Sequence, residues 1–254
     1  MRARALQLLA LSSLLGAGAV LLAFARPAPA ATKAPAPKAL IAAAPRRAEP
    51  IPAGAPSPFS TLPLVRIENQ TSREVAQLRL YDAAGRIDEN AATRLDEVLC
   101  DARDPKHSET ATIERRTLQL LFKAAYHFGS YDVQVVSGYR KPGKRREGPH
   151  GTGAAVDFRL VGVKAAELAA YLRDQPRTGV GIYTHPKTQY VHLDVREHSF
   201  HWLDASPPRR RWREKSIGSR DLPKRDAAYA PALDLPEGLP APLFAPTPSA
   251  PVAP

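Results

Sequence analysis

Only one cysteine, Cys100, occurs in the 254 residues, so no disulfide can form within the chain. Stability must come from a packed core, with a bound metal as the other available source. Beside Val98 and Leu99 on a predicted helix, the Cys100 thiol reads as a small buried apolar group. No cysteine lies directly after the apolar stretch near the N-terminus, which argues against a lipid-modified chain end. Acids are also scarce: 25 Asp and Glu against 36 Lys and Arg leave a formal charge of +11. Residues 1–25 hold Arg2 and Arg4 and no acid, so a chain processed there keeps 11 − 2 = +9. Such an excess favours polyanions, whether nucleic acid, anionic envelope polymers or a membrane surface.

The N-terminus separates these partners. Arg2 and Arg4 precede a mostly apolar run, Ala5 to Ala25, and the small-residue sites Ala23-Phe24-Ala25 and Ala28-Pro29-Ala30 follow, as in an export signal. The run also matches the ~20 residues that span a bilayer, so an uncleaved inner-membrane anchor over residues 5–25 is the competing reading. Both export the chain to the periplasm or cell envelope. Its charge then suits anionic envelope polymers or the membrane surface, and nucleic acid is excluded. Residues 26–58 are Ala- and Pro-rich with few large apolar side chains, an extended linker. Residues 222–254 are similar and lack periodicity, which predicts a disordered tail. One domain is expected over residues 59–221.

Within it, Leu64–Glu68 and Ala76–Tyr81 alternate as two strands of a hairpin. Leu95, Val98 and Leu99 fall at helical spacing in Ala91–Ala102, with Asn90 as the predicted N-cap. Thr112–Phe128 carries one apolar face and stops at Gly129. The β-branched run Tyr131–Ser137 predicts a strand that delivers Tyr139 and Arg140 at its exit. Lys141–Gly148 follows as a basic surface loop, more simply a solvated turn than a binding element. The fold class expected is α+β, a small antiparallel sheet carrying a metal site and packed against helices.

The chemistry concentrates in His150-Gly151-Thr152-Gly153-Ala154-Ala155-Val156-Asp157 and in Tyr190-Val191-His192-Leu193-Asp194. Alternation puts Val156, Phe158 and Leu160 on one strand face and Asp157 on the other; likewise Val191 and Leu193 oppose His192 and Asp194. As neighbouring strands about 4.8 Å apart, the two segments would aim Asp157 and His192 at one point. His150 would arrive there from the preceding loop. Two histidines and a carboxylate can supply three ligands to a tetrahedral zinc and leave a fourth position open. An Asp and a His on one sheet face are also commonly an ordinary hydrogen-bonded pair, so spacing alone leaves both readings standing.

Ser137-Gly138-Tyr139-Arg140, the His150–Asp157 segment, and Gly179-Val180-Gly181-Ile182-Tyr183 leading to Val191-His192-Leu193-Asp194 resemble the zinc D-alanyl-D-alanine peptidase superfamily. The nearest subgroup is that of the periplasmic murein endopeptidases, and the likeness covers roughly Leu64 to Trp202. It implies Zn2+ held by His150, Asp157 and His192, with Arg140 assisting the substrate carbonyl. It further implies hydrolysis of peptide bonds in peptidoglycan, as a murein endopeptidase or carboxypeptidase. Ser137, Tyr139 and Tyr190 are candidate substrate contacts, although tyrosines beside strands usually pack with a wet hydroxyl.

Two positions depart from the pattern. Dipeptidase-type relatives carry an acidic general base three residues before the last histidine, where this chain has Gln189, a neutral amide that cannot accept a proton. Many also have serine two residues before the first histidine, here Gly148. Asp194 can be the replacement base or can orient a ligand histidine. His185 reads as a surface residue, and His198 and His201 as a solvated strand end rather than a second metal site. Arg209-Arg210-Arg211-Trp212-Arg213 suits an anionic polymer or headgroup surface. Loss of the usual base keeps two alternatives open: a peptidoglycan-binding protein with a zinc site but no turnover, and a basic envelope scaffold.

Overall fold

The computed structural model describes residues 56–101, 111–141, 148–208, 210 and 214–239. The apolar N-terminal run, the linker up to residue 55, residues 142–147 of the basic loop, most of the Arg209–Arg213 run and the tail beyond residue 239 lie outside the described residues.

Strands β1 (Val65–Asn69) and β2 (Val75–Leu78) form the predicted hairpin, and the Asn69 Oδ1 accepts the Thr71 and Ser72 N–H groups in its turn. Helix α1 (Glu89–Val98) is capped by Asp88, not Asn90: the Asp88 carboxylate accepts the N–H groups of Asn90 and Ala91, two donors that a first helical turn leaves without partners. Helix α2 (Arg115–Phe128) ends as expected at Gly129, whose φ of 60° lies in the left-handed region. Then come β3 (Asp132–Ser137), β4 (Ala155–Leu160), α3 (Ala165–Arg173), β5 (Thr178–Tyr183), β6 (Val191–Val195), β7 (Phe200–Asp204), β8 (Glu214–Ser216) and α4 (Leu222–Ala227).

The fold is α+β, but the sheet is neither small nor purely antiparallel. Among the described residues it has eight strands in the order β2-β1-β3-β4-β6-β5-β7-β8, with β1/β3 and β5/β7 parallel. Two helices between β1 and β3 supply the long crossover that parallel neighbours need. Strands β5 and β7 are parallel because β6 returns between them in sequence, while β7 adds to the other side of β5. One face of the sheet carries Ile67, Val133, Val135, Phe158, Val180, Val191 and Leu193 into a core shared with Leu118, Leu121 and Phe122 of α2 and Leu168 and Leu172 of α3. Each fully buried aliphatic or Phe side chain there contributes about 1.5–3 kcal/mol. The opposite face carries the polar residues of the candidate site.

Residues 222–239, predicted as part of a disordered tail, are instead built onto the domain. After α4, a 3-10 turn (Pro231–Asp234) packs against α2. The segment is rich in Pro and Ala and lacks periodicity, which is why its composition reads as disorder; Leu235 joins the core and buried polar groups add to its hold. Asp234 pairs with Arg116 Nε at 2.9 Å and accepts the Tyr229 hydroxyl at 2.7 Å. Lys123, in the middle of α2, donates to Gln175 Oε1 and to the Leu233 carbonyl at 2.7 and 2.5 Å. Burial lowers the Lys123 pKa, and these two acceptors are what the ammonium finds there. Asp234→Ala strands the largely buried Arg116 guanidinium and is expected to lower the unfolding free energy by about 3 kcal/mol, read from urea denaturation. A variant as stable as the wild type would show that the segment is not part of the cooperative unit.

Candidate metal centre

Strands β4 and β6 pair with Asp157 directly opposite His192. Alternation sends the neighbours Val156, Phe158, Val191 and Leu193 to the core and these two to the other face. His150 comes from a turn closed by Gly151 N–H to Gly148 O and Ala154 N–H to Pro149 O. Gly153 is required in it: its φ is +76°, and a Cβ would stand 2.3 Å from the Thr112 carbonyl oxygen. The His150 Nδ1–H donates to the Gly138 carbonyl at 2.7 Å, which fixes the tautomer and turns Nε2 toward β4 and β6.

Three potential ligand atoms meet there. His150 Nε2 is 3.2 Å from His192 Nδ1 and 3.3 Å from Asp157 Oδ1, and His192 Nδ1 is 2.8 Å from Asp157 Oδ1. Ligands ~2.0–2.1 Å from a tetrahedral ion stand about 3.3 Å apart, so the triangle has nearly the size a zinc would demand. Two imidazole nitrogens and a carboxylate also suit that ion chemically. All three residues are buried.

A second carboxylate backs the cluster. His192 Nε2–H donates to Asp194 Oδ2 at 2.9 Å, and Arg196 clasps Asp194 with Nη2 on Oδ2 and Nε on Oδ1, the latter at 2.6 Å. Burial opposes charge on His192, yet its hydrogen bonds to Asp157 and Asp194 outweigh this and raise its pKa to about 9 in the metal-free protein. Burial likewise raises the carboxyl groups. The charges and hydrogen bonds of His150 and His192 nevertheless hold Asp157 below the usual carboxylate range, and those of His192 and Arg196 do so for Asp194. Asp194 is fully buried, both its oxygens are engaged, and the His192 ring stands between it and the cluster. Of the two roles open to it in the sequence, this placement fits the orienting one.

Arg140 leaves β3 as expected and is held at two points, by Asp157 Oδ2 and by Ser137 Oγ at 2.7 Å from Nε, while its side chain remains half-exposed. Ser137 therefore touches the site through Arg140. Tyr139 is buried in the core, its backbone N–H on the Leu99 carbonyl, whereas Tyr190 is partly exposed and stacked on Tyr183 at 4.3 Å. Gln189 occupies an exposed turn at φ 43°, and His185 accepts the Lys187 N–H in the same turn. His198 is exposed as expected. His201 is not at a solvated end: strand alternation turns it to the face opposite Trp202, where burial, with Arg173 and Arg225 nearby, lowers its pKa to about 4.

Sequence reading missed the reason for the two glycines of β5. Gly179 stands opposite Asp194 and Gly181 opposite His192. A Cβ on Gly179 would lie 2.1 Å from Asp194 Oδ2 and 2.4 Å from Arg196 Nη2, and one on Gly181 2.4 Å from the Trp202 ring. The missing side chains make room for the Asp194–Arg196 pair and let Trp202 cross β5 to within 5.0 Å of the His192 ring. The signal was present as glycine at every second position of a strand, which marks close approach on one face. Gly179→Ala is expected to cost about 1–3 kcal/mol by overpacking, measured by thermal unfolding, whereas Gly218→Ala, with no described atom within 4 Å, stays near wild type. Equal melting temperatures for the two variants would refute the cradle.

No curated protein and no solved structure matches this chain. Residues 60–202 match the family described as peptidoglycan L,D-endopeptidase MepK, a span of 202 − 60 + 1 = 143 residues in 254, which includes the whole cluster and its backing. That span agrees with the Leu64–Trp202 likeness to the murein endopeptidases of the zinc D-alanyl-D-alanine peptidase superfamily. With the match covering more than half of the chain, the protein belongs to the peptidoglycan L,D-endopeptidase MepK family.

Proposed function

We propose that the protein is a zinc-dependent endopeptidase that hydrolyses L,D peptide bonds of peptidoglycan in the periplasm or cell envelope. The observation that carries this reading is the triangle of His150 Nε2, Asp157 Oδ1 and His192 Nδ1, with sides of 2.8–3.3 Å, inside a chain of the MepK family. The exported location rests on the N-terminal apolar run, and the basic charge suits an anionic envelope.

His150, Asp157 and His192 would hold the ion. Zinc, when bound, supplies the Lewis acidity that polarises a carbonyl and makes water acidic at neutral pH. Arg140, fixed by Ser137 and Asp157, presents a cation where negative charge develops on the carbonyl oxygen. Asp194 and Arg196 keep His192 turned with Nδ1 toward Asp157 and His150, where it would serve as a ligand. Gln189 is a neutral amide, and with Asp194 assigned to orienting His192 the proton from water is left to another acceptor. One cleft among the described residues is lined by Ser137 and Arg140, and another by Pro149, Thr152, Ala154, Asp194 and Arg196. The choice of endopeptidase over carboxypeptidase follows the family description.

The absent base at Gln189 favours one second reading, a peptidoglycan-binding protein that holds zinc without turnover. Metal analysis and mass spectrometry of digested peptidoglycan separate the two. The purified protein is expected to carry one zinc and to release peptide fragments that His192→Ala, lacking zinc, does not. Zinc in the wild type with identical fragment patterns for both proteins would leave the binding reading standing, and no zinc in the wild type would remove both. With zinc retained, Arg140→Gln is expected to lower kcat by about 10²–10³. Asp194→Asn is expected to weaken zinc affinity by about 10–100-fold. An unchanged affinity with a collapsed kcat would return Asp194 to the role of base.

A further inference from the structure

The face of the sheet that bears the cluster continues over β5 onto β7 as an aromatic surface. Trp202, on the same face as His192, stacks in turn on Phe200, with ring centres 5.9 Å apart and planes inclined by 27°. Phe200 is one of the exposed large apolar residues of the described chain. Its neighbour on β5 is Gly179, without a side chain, and β8 pairs only with Trp202–Asp204, so the Phe200 side chain is left 47% exposed. Arg196 reaches over the ring at 5.9 Å and lines the adjoining cleft with Pro149, Thr152, Ala154 and Val195. Nε and Nη2 of this guanidinium are used on Asp194, and Nη1 is hydrogen-bonded to no described residue. Isolated exposed apolar residues need no explanation, but two nearly parallel rings continuous with the cluster and bordered by a guanidinium N–H do.

We propose that Phe200 and Trp202 form a stacking subsite for a pyranose ring of the glycan strand, with Arg196 Nη1 offering a hydrogen-bond donor to its hydroxyl and amide oxygens. The subsite rests on the reading of the protein as acting on peptidoglycan, a polymer in which sugars carry short peptides. A sugar has a flat face of C–H groups and a polar edge, and the site offers the complement of each: an aromatic floor and a polar rim. A peptide side chain would use the floor and leave the rim unmatched. The reach is suitable as well. Phe200 lies within about 11 Å of the His192 ring, a distance that some three extended residues cover at ~3.3–3.6 Å each. A sugar joined to the peptide a few residues from the scissile bond therefore lands on this ring.

The test compares crosslinked muropeptides that carry their disaccharides with the same peptides after an amidase has removed the sugars. For Phe200→Ala, kcat/KM on the sugar-bearing substrate is expected to fall about fivefold to tenfold through KM, the scale of one lost aromatic stack. Hydrolysis of the sugar-free peptide is expected to stay at the wild-type rate. Phe200→Tyr, which keeps the ring face, should retain activity on both, and since Phe200 is half-exposed the alanine variant should melt with the wild type. Equal losses on the two substrates would assign the ring to a peptide side chain and overturn the proposal, as would no loss on either. If the wild type cleaves neither substrate, the peptidase reading fails first, and equilibrium binding of the same fragments decides the subsite. Weaker binding of only the sugar-bearing fragment by Phe200→Ala supports it, and equal binding of that fragment by variant and wild type ends it.

Discussion

The register between β4 and β6 is the constraint on which the site depends. Asp157 faces His192 across that pair, and their neighbours Val156, Phe158, Val191 and Leu193 are all buried on the other face. Because side chains alternate with a period of two, a slip of one residue would send the apolar set to the polar face and Asp157 and His192 into the core. Burial of four large side chains thus selects the same register that brings the carboxylate to the imidazole. The geometry of the cluster needs no separate stabilisation; it is a by-product of the core. His150 joins from a loop, and the burden of placing it falls on two local features, the left-handed Gly153 and the Gly138 carbonyl that takes its Nδ1–H.

Behind the register stands a layer of buried charge that would be costly if any member were missing. Removing an ionised carboxylate from water is repaid only when its lone pairs are satisfied. Asp194 meets that condition through His192 and both donors of Arg196, and Asp157 through His150, His192 and Arg140. The cluster is consequently held together by its own hydrogen bonds, with His192 lying between the two carboxylates and bonded to each.

Asp157 and His192 were legible because period-two alternation in apolar runs is the strongest strand signal a sequence carries. The hairpin at β1 and β2, helix α2 and the stop at Gly129 were legible for similar reasons. Strands β5 and β7 escaped a full reading because their patterns are broken for the sake of the site: Gly179 and Gly181 empty one face of β5, and β7 alternates aromatic residues with a buried histidine. The size and mixed character of the sheet escaped with them. The second role of Asp194 could be weighed from its spacing to His192, whereas its pairing with Arg196, just past the end of β6, needed the structure. The Asp88 cap was missed for a simpler reason: two capping residue types lie close together, and only the backbone shows which one precedes the first helical turn.

The C-terminal segment shows how far beyond the family span the supports of the site extend. The match ends at residue 202, yet Asp226 of α4 accepts the backbone N–H groups of Arg177 and Ser199 at 2.6 and 2.7 Å and the Ser199 hydroxyl at 2.6 Å. Ser199 Oγ in turn accepts the Thr178 N–H at 3.1 Å. One buried carboxylate therefore ties the residue before β5 to the residue before β7. Arg177 has a φ of 54°, a conformation a non-glycine residue keeps only when its surroundings hold it, and Asp226 is part of what holds it. Gly179 and Phe200 follow within two residues, so this tie sets where β5 leaves space for Asp194 and Arg196 and where β7 presents its aromatic ring. A polar segment that resembles a disordered tail in composition thus aligns the two strands on which the backing of the cluster and its aromatic extension depend.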